Sequence, residues 1–525
     1  MKMKYASIIG LALVVGLFSR GIAATEGLRV LILSGQNNHN WKETTPALRQ
    51  ILAGSGKFDV EATEHPEQCT AETFKKFDVV LSNWNTFGTS GVKDWPAATK
   101  RAYLDFVRSG KGSVVVHAGS SSFYDWPEYQ QIAGASWKLG QTAHHAPHMC
   151  TVKPTAVEHP ITRGMQPFTT TDELWLKPGM HPDAVVLATA DGQPSALVTS
   201  FGKGRGFTLL LGHDARFMEN PGFRNLLVRG TQWAATGTVT ESDLSWKQSD
   251  KSLALLKGGA VVWQLNFADR EGKPYFHPLR LPDGTETTAL RPKDHPWHLG
   301  LWWSWKFING VNYWESDPKT GKSEGTTEVT SKHVAANPDN SAKVEMELSY
   351  HLPQKAPVMT EKRVLVISAP DASGNYSIDW NSTFTAADKD VKLDRTPPSG
   401  HAGGVGWGGY AGLSVRFPAP AKGWTFTGSS GEKGAAALRG KPASWIDFSG
   451  PAGGVAIFDS PRNLRHPSPW YPNQELPYFS PAILFHEPYT LPAGKTLVLR
   501  YRVFVHGPGA DLPGQWQKFA EAESK

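Results

Sequence analysis

The segment GSVVVHAG, Gly112 to Gly119, is an unbroken apolar run that ends on a histidine and small residues. A strand without polar alternation must be covered on both faces, which is the situation of a parallel sheet flanked by helices. Neighbouring segments repeat the theme. LRVLILSG from Leu28, a short strand at Phe58, and FDVVLSNW from Phe77 are separated by amphipathic stretches, one opening on Pro46 and one running from Trp95 to Gly110. AVVLATA from Ala184, SALVTSFG from Ser195 and GFTLLLGHD from Gly206 follow, before a closing helix over 221–235. Strands joined by helices at this spacing predict a doubly wound parallel α/β sheet.

The pattern changes after Thr236. TGTVTESDLSW is polar and reads as a linker, and beyond it helical periodicity gives way to alternating strands such as KVEMELSYHL and TLVLRYRVFVHG. Gly, Pro, Asn and Asp turns separate these strands, which predicts a large all-β sandwich. The expected division is residues 28–236, a linker over 237–246, a β domain over 247–508 and a tail over 509–525. Lysines, an apolar run from Ala6 to Phe18 and small residues to Ala24 read as a signal peptide over 1–24. The mature chain is therefore expected in the periplasm or secreted, with no membrane insertion once the signal is removed. A net charge of +6 on 525 residues, with no dense basic stripe, argues against a nucleic-acid partner. An export compartment permits a disulfide between Cys69 and Cys150, whose separation the sequence does not give; two unpaired, buried thiols are the favoured reading.

Polar residues recur at the carboxyl ends of the first-half strands, where open α/β sheets bind ligands. They are His39 and Trp41, with neighbouring asparagines, after the first strand; Asn83 after the third; His117 and Ser120 after the fourth; and His213 and Asp214 after the last. His145 and His148 add two further imidazoles. Such a group suits proton transfer or metal binding. A serine nucleophile at Ser120 is disfavoured, because HAGSSS lacks the G-x-S-x-G elbow.

Four segments resemble the ThuA-like (trehalose utilisation) family: DWPEYQQIAG from Asp125, EHPITRGM from Glu158, TDELW from Thr171, and GKGRGFTLLLGHDARFMENPGFRNLLVRGTQWAA from Gly202. The resemblance covers most of residues 28–236 and implies a flavodoxin-like sheet similar to class I glutamine amidotransferases. Those enzymes often carry a cysteine on the elbow after the fourth strand. Here His117-Ala118-Gly119-Ser120 stands there instead, which removes the amidotransferase nucleophile. The family's HPPH-like segment corresponds to His145-Ala146-Pro147-His148.

The densest segment of the second half is RPKDHPWHLGLWWSWKFINGVNYWE, which carries Arg291, His295, His298, Trp302 and Glu315. Carboxylates and imidazoles among indoles suit a saccharide site, because flat apolar rings stack on sugar C–H faces. Further candidates are His401 in a glycine-rich turn, Arg465, His466 and Trp470 in SPRNLRHPSPWYP, and His486 and Glu487 in LFHEPYTLPAG. The region 245–508 resembles the family labelled methane-oxygenase-like (PmoA), and its pattern is similar to the galactose-mutarotase-like supersandwich.

The expected function is an exported enzyme acting on a disaccharide or a keto sugar by general acid/base catalysis, whether hydrolysis, elimination or epimerisation. In that reading His295, His298 and Glu487 are catalytic. Arg465 and His466 orient the substrate, and Arg291, Trp302, Glu315, His401, Trp470 and His486 bind it. The partner is a mono- or oligosaccharide. No cofactor is expected, although a divalent metal stays open. Two alternatives remain: a non-catalytic glycan-binding protein, or a hydrolase with its site in the ThuA-like half and the sandwich as a docking module.

Overall fold

The computed structural model describes residues 27–524, apart from 88–90, 93, 268–271, 318 and 420. The expected signal peptide lies outside the described residues. Nine strands form the first sheet: β1 (Leu28–Leu33), β2 (Phe58–Thr63), β3 (Val79–Ser82), β4 (Gly112–Val116), β5 (His148–Pro154), β6 (Phe168–Asp172), β7 (Val185–Ala190), β8 (Gln193–Phe201) and β9 (Gly204–Leu209). Their order is β2-β1-β3-β4-β9-β8-β7-β5-β6. The first five in that order pair in parallel.

Successive residues of these strands serve opposite faces, as strand geometry requires. Val30, Ile32, Val114 and Val116 pack with Leu48 and Leu52 of α1 (Trp41–Gly54) and with Phe223, Leu226 and Leu227 of α4 (Pro221–Thr236). Leu31, Leu33 and Val115 pack on the other side with Tyr103 and Phe106 of α2 (Ala97–Arg108) and with Ile132 of α3 (Pro127–Ala133). The sheet is thus covered on both faces.

The parallel sheet expected across the whole first half is corrected on one side. β8 pairs antiparallel with both β9 and β7, and β5 pairs antiparallel with β7 and β6. The connections explain this. Only Asp191 and Gly192 separate β7 from β8, both at positive φ (44° and 83°), and two residues suffice for a hairpin. A parallel crossover needs about a dozen residues.

The second half is all-β. Two eight-stranded antiparallel sheets face each other across one core built from Trp263, Trp303, Trp305, Trp380 and many aliphatic side chains, with a four-stranded sheet beside them. Its first strand begins at Leu244, inside the expected linker. The expected tail is instead a helix over Leu512–Ser524, because Leu512 and Phe519 bury themselves against Trp445, Phe458 and Phe504. Among the described residues, no helix is long and apolar enough to cross a membrane. Cys69 and Cys150 are both free and buried, and burial pushes each thiol up to about 11.

Candidate metal centre

The carboxyl ends of β1, β3, β4 and β9 open onto one cleft of about 410 Å³, lined among others by Asn38, His39, Trp137, His144, Glu173, Trp175 and His213. At its floor His39, His117, Glu173 and His213 each bring a donor atom within 4.8 Å of all the others. The three imidazole centroids lie 4.4–5.4 Å apart.

Each group has its own local support. His117 follows β4 directly and adopts φ 38°, an uncommon conformation for a residue with a side chain. The chain can turn there because Gly119 is bare: a Cβ on it would sit 2.6 Å from the Ser82 carbonyl oxygen. His117 Nδ1 donates to the Leu210 carbonyl at 2.7 Å, which directs Nε2 toward the cluster. His39 Nδ1 lies 3.1 Å from Asn37 Oδ1, and Asn37 is itself held by the Asn83 carbonyl at 3.1 Å. Asn83 is buried and donates to Thr44 and Thr45 in the first turn of α1, so it positions the His39 loop without lining the cleft. Asp172, buried at the end of β6, accepts from the Gly212 and His213 amides at 2.7 and 3.1 Å and sets the His213 turn.

Glu173 is the centre of the charge distribution. Its carboxylate lies 3.6 Å from His117 Nε2, 3.5 Å from His213 Nδ1 and 2.8 Å from His144 Nδ1. Burial opposes its ionisation, yet His117 and His213 outweigh that and hold the carboxyl well below its usual range. The Glu173 carboxylate in turn raises His213 against the effect of burial. Burial, followed by repulsion from His117 and His213, pushes the His39 imidazole down to about 3. His117 Nε2 and His213 Nδ1 are buried, and both meet the Glu173 carboxylate just beyond ordinary hydrogen-bond distance.

Three imidazoles and a carboxylate make a donor set that suits Zn²⁺ and related first-row ions. Metal–nitrogen bonds of about 2.1 Å place tetrahedral ligands about 3.4 Å apart. The 3.5 and 3.6 Å separations to Glu173 match that edge. The backbone carbonyl behind His117 and the amide oxygen behind His39 are the outer partners that metal-bound imidazoles usually have.

Of the residues expected here, His39, His117 and His213 converge, and Asp214 lines the cleft while capping the helix Ala215–Met218. Trp41 is half-buried at the start of α1, under the Lys42 ammonium. Ser120 is buried in the turn after β4, so its hydroxyl is closed off from solvent. His145 and His148 stay at the surface with rings 6.3 Å apart and take no part in the cluster; His144 reaches Glu173 in their place. Glu173 was not singled out from the sequence. The available signal was an acidic pair, Asp172-Glu173, at the end of a strand.

The residues expected in the second half fall into separate groups. His295 and His298 stack at 4.7 Å, and His298 packs on Trp302 and Tyr478. Burial, then His295 and Arg416, push His298 down to about 2. Glu487 belongs to another cleft of about 300 Å³, with Arg465, His486, Ile483, Pro442, Pro467 and Pro469 for walls, and neither His295 nor His298 lines it. Arg465 grips the Glu487 carboxylate at 2.8 Å and the Ile483 carbonyl at 2.6 Å. His486 bonds the Gly440 carbonyl, and exposed His401 lies 6.5 Å from it. His466 is tied to buried Asp459 at 2.8 Å. Glu315 is engaged by Lys306, Asn312 and Tyr410. Arg291 is exposed, and its amide bonds the His298 carbonyl. Trp302 and Trp470 are 1% and 0% exposed. Trp470 lies in the sandwich core and Trp302 in a separate buried aromatic cluster with Leu299 and Tyr478, so neither offers an open stacking face for a sugar.

Comparison with known proteins divides the chain at the same place. Residues 29–234 match the ThuA family, described as trehalose utilisation, and residues 252–512 match DUF6807, a family of unknown function. The latter match carries neither the methane-oxygenase-like nor the mutarotase-like label. A ThuA-like protein from Parabacteroides merdae is 29% identical over 41% of this chain and 93% of its own, with a TM-score of 0.37. Another from Bacteroides uniformis is 17% identical over 42% of this chain and 96% of its own, with a TM-score of 0.32. A β-galactosidase from Rahnella sp. R3 is 14% identical over 46% of this chain and 36% of its own, with a TM-score of 0.29. No curated protein matches the chain. The first half of the chain is thus a ThuA-like α/β domain, and a DUF6807 domain follows it.

Proposed function

We propose that this protein is a carbohydrate-processing enzyme acting outside the cytoplasm, with its chemistry at a divalent-metal centre in the ThuA-like cleft. The observation that carries the reading is the convergence of His39, His117, His213 and Glu173 within 4.8 Å, with the buried His117 Nε2 and His213 Nδ1 both facing the Glu173 carboxylate at 3.6 and 3.5 Å. These contacts are longer than ordinary hydrogen bonds, and one cation between the four groups would satisfy all of their donor atoms at once. A bound divalent ion would polarise a sugar carbonyl or lower the pKa of a water.

The chain's own residues supply the rest. Trp137 lines the cleft half-buried and offers an aromatic face for a sugar, and the buried Trp175 ring supports it edge-to-face at 5.2 Å. Asn38 and Asn40 bring amides suited to hydroxyl groups. His144, its side chain half exposed, bonds the Glu173 carboxylate at 2.8 Å and orients it at the mouth of the cleft. The substrate class, a disaccharide or its keto derivative, rests on the family's trehalose-utilisation description.

The test is a turnover screen of trehalose, other disaccharides and their keto forms, with metal-loaded and chelated protein, alongside His117→Ala. Turnover that survives both chelation and His117→Ala would remove this cleft as the catalytic site.

A further inference from the structure

The DUF6807 domain holds an arrangement that the cleft chemistry does not use. The sheet containing Leu301–Ser304, Gly412–Arg416, Trp470–Asn473 and Tyr478–Pro481 has two different faces. Leu301, Trp303, Leu413, Val415, Trp470 and Phe479 point into the sandwich core. The alternate positions point outward, and they include Trp302, Arg416 and Tyr478. This outward face is aromatic and carries a buried cation.

A short excursion covers it. Residues 290–299 leave and return through a bridge between Leu290 and Leu299, and the Arg416 amide bonds the Gly300 carbonyl at the base. The tip of the excursion places Asp294 over the guanidinium, with Oδ2 2.8 Å from Arg416 Nη2. Asp294 is 45% exposed, while Arg416 is 3% exposed. His295 Nδ1 shares the same carboxylate oxygen at 3.1 Å. Among the described residues, Arg416 Nε and Nη1 and His298 Nδ1 are buried with no hydrogen-bond partner. Guanidinium groups are built to take a carboxylate through two nitrogens. Here one nitrogen of the Nη1/Nη2 edge is in use, and the carboxylate that uses it comes from a surface loop.

We propose that this face is a second ligand site, specific for a hexuronate, in which Arg416 receives the sugar carboxylate and Asp294 is a resident placeholder that the ligand displaces. Once Asp294 swings away, Nη1 and Nη2 both face the incoming carboxylate. Asp294 is the element that moves, because it already lies at the solvent boundary. Among the described residues, His298 Nδ1 is a further buried polar atom without a partner on this face, and its ring packs on the closed Trp302 and Tyr478 rings. The carboxylate half of this proposal stands on Arg416 alone, whereas the sugar half rests on the carbohydrate reading above.

The placeholder makes a quantitative prediction. If Asp294 occupies Arg416 in about nine-tenths of molecules, freeing the guanidinium tightens ligand binding about tenfold. The experiment is calorimetric titration of full-length protein with glucuronate, galacturonate, glucose and acetate, for the wild type and Asp294→Asn. The expected result is binding of at least one uronate, about tenfold tighter in Asp294→Asn, with much weaker binding of glucose and acetate. Equal uronate affinity in the two proteins, no uronate binding in either, or glucose or acetate bound as well as the uronate would each overturn the proposal. Arg416→Gln should abolish binding; should that variant fail to fold, the Asp294→Asn titrations decide by themselves. His117→Ala should leave uronate binding intact, so loss of the metal centre and loss of this site are separate outcomes.

Discussion

The two histidine groups of this molecule use the same side chain for different ends. In the ThuA-like domain three imidazoles come from three strand ends, two are oriented by oxygen acceptors on Nδ1, and all converge on a carboxylate. In the DUF6807 domain His295 and His298 lie three residues apart, stack on each other, and meet aromatic rings. Proximity in sequence produced a stacked pair. Proximity in space, assembled from distant segments, produced a donor set. Spacing of histidines along a chain is therefore a poor guide unless the backbone turns their nitrogens toward one point.

The contrast breaks most readily at His117. His117→Ala should lower turnover by roughly a thousandfold or more and reduce bound metal from about one per chain to near zero, with folding retained by circular dichroism. Elemental analysis of the purified protein checks it, and full metal occupancy in the variant would erase the distinction between the two groups. The second effect concerns the β domain's indoles. Trp470→Ala should cost about 3–5 kcal/mol of stability, measured by denaturant unfolding, because it empties a fully buried site. It should leave metal content unchanged, whereas a stacking role would have shown as lost sugar affinity in a stable protein.

A smaller change is expected from Asp172→Asn. Asp172 touches no cluster donor but fixes the His213 backbone, and such supporting groups are worth about 10–100-fold in metal affinity. Competition with a chromophoric chelator measures this. The smallest effect, per pH unit, is a pH slope. His298 has its folded pKa depressed to about 2 from 6.5. Below pH 6.5 the unfolded chain binds the proton and the folded chain does not, so stability is complete above 6.5 and falls with acidification toward 2. The slope from this group approaches about 1.4 kcal/mol per pH unit. His298→Leu should flatten the acid limb of a stability–pH curve by that amount; an unchanged limb would show that the buried ring is protonated with ease.

Much of the α/β half could be read from the chain. The uniform apolar runs at Leu28, Phe77 and Gly112 demanded a doubly covered sheet, and His117 stood at a strand end where ligands gather. The antiparallel edge is legible as well, since Asp191-Gly192 is a two-residue turn, too short for a parallel crossover. The difference between His144 and His145 was not legible. Neighbouring residues on an irregular segment point in directions that no periodicity fixes, and one of them meets Glu173.

The sequence alone determined the buried strands from Leu28, Phe77 and Gly112, the helices that alternate with them, and that the second half is all-β, because these follow from local apolar periodicity and turn chemistry. Only the tertiary structure decided that Glu173 joins three distant histidines, that Trp302 and Trp470 lie buried, and that Glu487 lines a cleft without His295 or His298. Those outcomes depend on the relative placement of loops and strand registers, which is set by packing between segments far apart in the chain, and no single segment carries that information.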